Sequence, residues 1–284
     1  MKVSDSITPY ENNQYNDILK WEKKEPSVVE KAMGFVFKPA AWLVNQIVPK
    51  KALEGALHLA NKGAEFLTDS NDIKRDGNVS EISELKTKSL ELSDKLADNV
   101  HNWALALAGA EGGATGATGL VGIAVDIPTI ITLSLRTIHK IGLCYGFEAK
   151  TENDQKLIYA IMSSAAANTI EEKDAALLAL KEILIIIQKN TWKKLIEEAA
   201  AKRFSLAAAI IGVKQLGKQL GINLTRRKAL QAIPFIGAGV GTLVNIAYMQ
   251  DIAWAARRIF QRMWLVENGK LIPEKRDLKE LEEN

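Results

Sequence analysis

The residues best placed to do chemistry are two carboxylates, Glu111 and Asp126. From Asn99 to Leu135 they are the only formally charged side chains, and neither Lys nor Arg occurs between Lys95 and Arg136. A carboxylate in an apolar stretch is costly unless something compensates its charge. Two of them beside a glycine-rich backbone would hold a cation or share acid–base work. Arg136, or an arginine from the Arg257, Arg258 and Arg262 cluster, would supply the counter-charge. A plainer reading competes and is the one we expect. Asp126 precedes Ile127-Pro128, so it suits a helix N-cap with proline in the first turn. The helix after it would then bury Ile127, Ile130, Ile131, Ser134, Ile138 and Ile141. Its polar stripe of Thr129, Thr132, Arg136, His139 and Lys140 would face water.

Other chemistries find little support. The run GAEGGATGATGLVG lacks Gly-Lys-Ser/Thr and follows no strand, so it is neither a P-loop nor a dinucleotide fingerprint. No Gly-x-Ser-x-Gly elbow and no His-Glu-x-x-His motif occurs. His58, His101 and His139 lack metal-ligand spacing. The single cysteine, Cys144, sits at an apolar helix end and reads as buried and inert. We therefore expect no catalytic set beyond the weak candidates Glu111 and Asp126, no metal and no cofactor. With 37 Lys plus Arg against 34 Asp plus Glu, the net charge is +3, which argues against a nucleic-acid partner. One cysteine and no apolar run over residues 1–16 predict a reducing, cytoplasmic setting.

The elements that must position these residues read as all-α. The chain is 47% hydrophobic and 25% charged, an ordinary globular balance. Only seven prolines occur, and Ala, Leu, Lys and Glu fill the long intervals between them. No alternating strand run bounded by hairpin turns is visible. Helices are expected from about Tyr10 to Lys24, from Asn153 to Asn168, from Glu171 to Lys189 and from Trp192 to Leu220. The block Ile183 to Ile187 should be a central buried helix. Thr68 to Val79 reads as a polar loop with an Asp-Gly turn, and Ser80 as the cap of the next helix. That helix repeats Ile82, Leu85, Leu92, Leu96, Val100, Trp103 and Leu107 on one face, opposite Glu81, Glu84, Lys88, Glu91, Lys95 and Asp98. Beyond Asp98 both faces turn apolar, which marks entry into a buried or membrane-like environment. The expected organisation is a polar arm over 1–16, one helical domain over 17–266, and a charged tail over 267–284.

Two segments are unusual. Asn99 to Leu135 is punctuated by Gly109, Gly112, Gly113, Gly116, Gly119 and Gly122. Ala229 to Gln250 carries no formal charge and centres on Gly237, Gly239 and Gly241. Small residues at four-residue spacing let helices approach closely. We expect a multi-helix bundle with both segments in or near its core. A bilayer reading stays open, because about 20 apolar residues can span one. Gln231, Pro234, Asn245 and Gln250 make the second segment marginal for it. Downstream, Trp254, Arg257, Arg258, Phe260, Arg262 and Trp264 share one helix. Arginine and tryptophan together suit a lipid headgroup layer or a ligand. The alternative is aromatic groups in the core and arginines in water.

The run from Gly119 to Phe147 resembles the EcsC protein family. Its pattern is a glycine-rich apolar lead, Asp126 and Pro128, then Leu135-Arg136 and Tyr145-Gly146. Ile233-Pro234-Phe235-Ile236-Gly237-Ala238-Gly239-Val240-Gly241, then Asn245 and Ala256-Arg257-Arg258, extend the likeness over roughly residues 20 to 265. The family is named for a protein encoded beside the ATPase and membrane subunits of an ABC transporter, and it has no established catalytic set. The resemblance therefore implies a membrane-proximal role. We expect a non-catalytic accessory protein, cytoplasmic or peripheral to the inner face of the cell membrane. Its partner would be a membrane surface or a membrane protein. Binding of a lipid or other apolar ligand between the helices is the alternative. A hydrolase-like enzyme built on Glu111 and Asp126 is a third, and a pore-forming role a fourth.

Overall fold

The first helix shows how local chemistry sets the elements. Thr8 caps α1 (Pro9–Lys23): its hydroxyl accepts from the Glu11 amide at 3.2 Å, and the Glu11 carboxylate accepts from the Thr8 amide at 2.7 Å. Pro9 at the first helical position forfeits no hydrogen bond. In the computed structural model, residues 1–24, 69–116, 120–165, 167, 173–178, 180 and 237–272 are described. Six helices lie within those residues, α1, α2 (Asn71–Gly77), α3 (Leu90–Gly116), α4 (Leu120–Cys144), α5 (Glu152–Ala165) and α6 (Gly237–Glu267), and residues 173–178 are helical as well. A 3-10 helix, Ile82–Thr87, precedes α3. A short ribbon, β1 (Lys2–Val3) and β2 (Leu271–Ile272), pairs antiparallel with Val3 opposite Leu271. The fold is all-α, and the ribbon ties the N-terminal arm to the start of the charged tail.

The core is built on α3 and α6, which share the largest interface among the described elements. Their register is fixed by four contacts. Asp94 meets Gln261 and Asp98 meets Arg257. His101 meets Trp254 edge-on, and a Cβ on Gly109 would lie 3.1 Å from Ile246. Each advance along α3 is matched by an equal retreat along α6, so the two helices run antiparallel in constant register. At Gly109 the side chains of Ile246 and Thr242 fill the space a Cβ would take. Leu90, Asp94, Ala97, His101, Ala104 and Ala108 line the buried stripe of α3. α4 packs on both helices through Ile130, Ile131, Leu135, Ile138 and Ile141, all fully buried. Burying each such side chain contributes about 1.5–3 kcal/mol.

Several expectations are corrected. The helix expected from Ser80 is two elements. Glu84 accepts from the amides of Ser80 and Glu81 at 3.1 and 2.7 Å and so caps the 3-10 turn, and α3 starts only at Leu90. Leu96, Val100, Trp103 and Leu107 do share one face of α3, but Leu96 and Val100 are buried, Leu96 beside Gly77 of α2, whereas Trp103 and Leu107 further along are exposed. The loop expected over 68–79 contains α2, closed by Asn78 in the left-handed conformation. α4 begins at Leu120, so Asp126 and Pro128 lie inside it and not at its start. His139, placed on a solvated stripe, is buried, and Lys140 pairs with Asp72 at 2.7 Å. Ile183 to Ile187 and the helix expected from Trp192 lie outside the described residues.

α4 and α6 end alike. Gly146 (φ 84°) and Gly269 (φ 66°) take left-handed conformations that a side chain would strain. Behind them, Phe147 donates to the Gly142 carbonyl and Lys270 to the Leu265 carbonyl, at 2.9 and 2.8 Å. Among the described residues no helix is long and apolar enough to cross a membrane.

Candidate functional site

The densest polar cluster among the described residues lies where α1, α3, α4 and α6 meet. Asp94 is its centre and is only 3% exposed. It falls on the seven-residue beat of the buried α3 stripe, so the helix carries it inward with Leu90 and Ala97. Its Oδ1 accepts from Tyr145 Oη at 2.5 Å and from Gln261 Nε2 at 2.7 Å, and its Oδ2 from Tyr10 Oη at 2.7 Å. Burial and the neighbouring carboxylate push both phenols far above their usual range, so both stay protonated and keep donating. Three donors on one buried carboxylate satisfy it without exposure to water.

The arginines of α6 complete the cluster. Arg258 donates to Gln14 Oε1 at 3.0 Å and to Gln261 Oε1 at 2.9 Å, and lies 3.5 Å from Asp17. Arg257 donates to Asp98 Oδ1. Arg262 pairs with Glu22 at 2.7 Å. Burial lowers the Arg258 pKa, with Asp17 opposing. For Arg257 burial also works against the charge, but the neighbouring anionic groups, Asp98 and Asp94 among them, outweigh it, and its pKa rises. Trp254 takes both guanidiniums over its ring, at 4.6 and 4.8 Å. At the far end of α1, the Lys173 ammonium donates to the Trp21 and Lys24 carbonyls and caps the helix. The cluster is a clasp: it fastens α1 across α3 and α6 with paired charges.

Trp254, Arg257, Arg258 and Arg262, expected at a membrane or ligand, thus contact other parts of the same chain. Arg136 differs. Its guanidinium stacks 4.9 Å from the centre of the Trp103 ring. Its Nε lacks a hydrogen-bond partner, as do those of Arg257 and Arg262, but unlike them it pairs with no described carboxylate. Glu111 is half-buried on α3, and the Asp126 side chain lies outside the described residues. Gly112 is buried, and helix backbone passes through Gly113, Gly116, Gly122, Gly237, Gly239 and Gly241; Gly119 is outside the described residues. Cys144 is fully buried, and burial pushes its thiol far up.

Sequence reasoning missed Asp94, Tyr10, Gln14 and Gln261. One signal was present: Asp94 and His101 are seven residues apart within an otherwise apolar stripe. Such a placement forces a polar group inward. The family motifs found the other half of the clasp. Tyr145 supplies a phenol to Asp94. A Cβ on Gly146 would lie 2.7 Å from the Lys86 backbone nitrogen, so only glycine closes α4 there. Arg257 and Arg258 are the arginines on Trp254.

The model of the EcsC protein family matches residues 12–265. A curated relative, the "Uncharacterized protein YdbA" of Bacillus subtilis (strain 168), is 22% identical over 271 residues, covering 91% of this chain and 94% of its own length. No solved structure matches. A match that runs from within α1 almost to the end of α6, taking in the clasp apart from Tyr10, establishes that this chain belongs to the EcsC protein family.

Proposed function

We propose that the protein is a non-catalytic, membrane-proximal accessory protein that works at the inner face of the cell membrane, at the lipid surface or at a membrane protein such as a transporter. One observation carries this reading. The ionisable groups of the clasp bind one another, while the uncharged stretch of α3 from Asn99 to Ala110 leaves Trp103 and Leu107 exposed at 40% and 36%. Large apolar side chains next to each other on a surface commonly mark an interaction site. The clasp offers poor material for catalysis. Asp94 already accepts three hydrogen bonds, and its two phenol donors are held protonated. The test is flotation of the full-length chain with phosphatidylcholine vesicles, with and without phosphatidylglycerol. The reading expects flotation with the anionic vesicles, weakened by salt. A protein that stays in the soluble fraction with both would remove the lipid surface from the proposal and leave only a membrane protein as partner.

A further inference from the structure

We infer that the carboxy-terminal half of α3, with Leu243 of α6 and Arg136 of α4, is a docking surface for an anionic lipid bilayer. This rests on the membrane-proximal reading above and names the face and the chemistry it meets.

Four observations point there. First, Trp103, Ala106, Leu107 and Ala110 are all exposed and recur at three- and four-residue steps. They form one apolar ridge on the side of α3 away from Ala104 and Ala108, which are fully buried. Second, Leu243 is 67% exposed. It adjoins Thr242 and lies one turn from Ile246, the residues that a Cβ on Gly109 would meet, so the antiparallel register brings it to the same end of the bundle. Third, α3 carries no formal charge from Asn99 to Ala110, and Glu111, which follows, is half-buried, so the ridge itself is uncharged. Fourth, Arg136 stands beside Trp103 as a cation without a described acidic partner.

Tryptophan prefers the boundary between acyl chains and headgroups, and arginine binds phosphate. The pair therefore marks the headgroup level, with Leu107, Ala110 and Leu243 on the acyl side. An exposed helix face is a ridge, not a groove. It suits a yielding planar surface better than a partner's helix, which would need a groove to lie in. Among the described residues no acid pairs with the Arg136 charge, and phosphatidylglycerol phosphate would complement it. Contact is shallow, with one helix face in the interface.

The test is vesicle flotation of the full chain carrying Leu107→Ser with Leu243→Ser, Leu107→Trp, or Arg136→Gln. All the changed side chains are at or near the surface, so the thermal unfolding midpoints should stay close to that of the unaltered protein. The double serine variant should bind vesicles about tenfold more weakly or worse, from the lost apolar burial. Leu107→Trp should bind more tightly. Arg136→Gln should weaken binding to phosphatidylglycerol vesicles more than any residual binding to phosphatidylcholine. If the unaltered protein floats but all three variants float equally well, this face is wrong and the membrane reading stands. If the unaltered protein floats with neither vesicle, both the inference and the lipid-surface reading fall.

Discussion

The molecule uses the same pair of residue types in two places and to different ends. In the clasp, Arg257 and Arg258 lie over Trp254, and Asp98, Asp17, Gln14 and Gln261 take up their hydrogen bonds and charge. On the far half of the bundle, Arg136 lies over Trp103 at nearly the same distance. There the indole is exposed, and no described acid answers the cation. Arginine on tryptophan is therefore not by itself a sign of a membrane or a ligand. The surroundings decide. Where acids converge, the pair fastens helices; where apolar surface surrounds it, we propose that the pair meets a lipid surface.

This contrast predicts that substitutions in the clasp change stability, whereas substitutions on the ridge change binding. The largest effect should come from Asp94→Ala, which strands three donors and uncovers the neighbouring arginines. A loss of about 4 kcal/mol in urea unfolding is expected. A loss below about 1 kcal/mol would show that the clasp is incidental. Next is pH. Burial pushes His139 down to about 4 from an ordinary 6.5. The folded state therefore holds it neutral where the unfolded chain would protonate it. Its contribution is complete above about pH 6.5 and is lost as the pH falls toward 4, up to about 3 kcal/mol. Comparing unfolding of the unaltered chain with His139→Gln across that window isolates the effect from the carboxylates. The variant should lose the excess slope.

Gly146→Ala comes third. The left-handed backbone and the clash with Lys86 should cost about 2–3 kcal/mol, read as a lower thermal midpoint. Smallest within the clasp is Arg262→Gln. Its pair with Glu22 is partly open to solvent, so about 1 kcal/mol or less is expected in the same assay. On the ridge, Leu107→Ser should move stability by no more than about 0.5 kcal/mol while weakening flotation. A large stability loss there would mean the ridge is packed and would undo the contrast.

Most of the architecture was legible because helix formation and burial leave periodic traces. The all-α class, α1, α5 and the close packing at Gly109 all follow from such traces. How far the face of α3 is covered was not legible. Spacing puts Leu96, Val100, Trp103 and Leu107 on one face, but it does not say where along the helix the covering elements end, and Trp103 and Leu107 are exposed. Asp126 misled for a related reason: a good cap residue before Ile-Pro does not stop a helix that has already begun at Leu120. The clasp was half legible. Its arginines and Tyr145 stood in recognisable motifs, but their partners Asp94, Gln14 and Tyr10 come from distant segments that only the fold brings together.

The central claim, that the clasp holds and the ridge touches, has a direct test in the protein's own chemistry. Cys144 is buried and its thiol is suppressed, so a cysteine introduced at a surface position would carry the only reactive label. An environment-sensitive fluorophore should be placed at Leu107→Cys on the ridge and, separately, at Lys20→Cys on the exposed side of α1. Phosphatidylglycerol-containing vesicles with brominated acyl chains should then be added. The account predicts a blue shift and bromine quenching at position 107 and neither at position 20. Equal responses at both positions, or a response at position 20 alone, would contradict it.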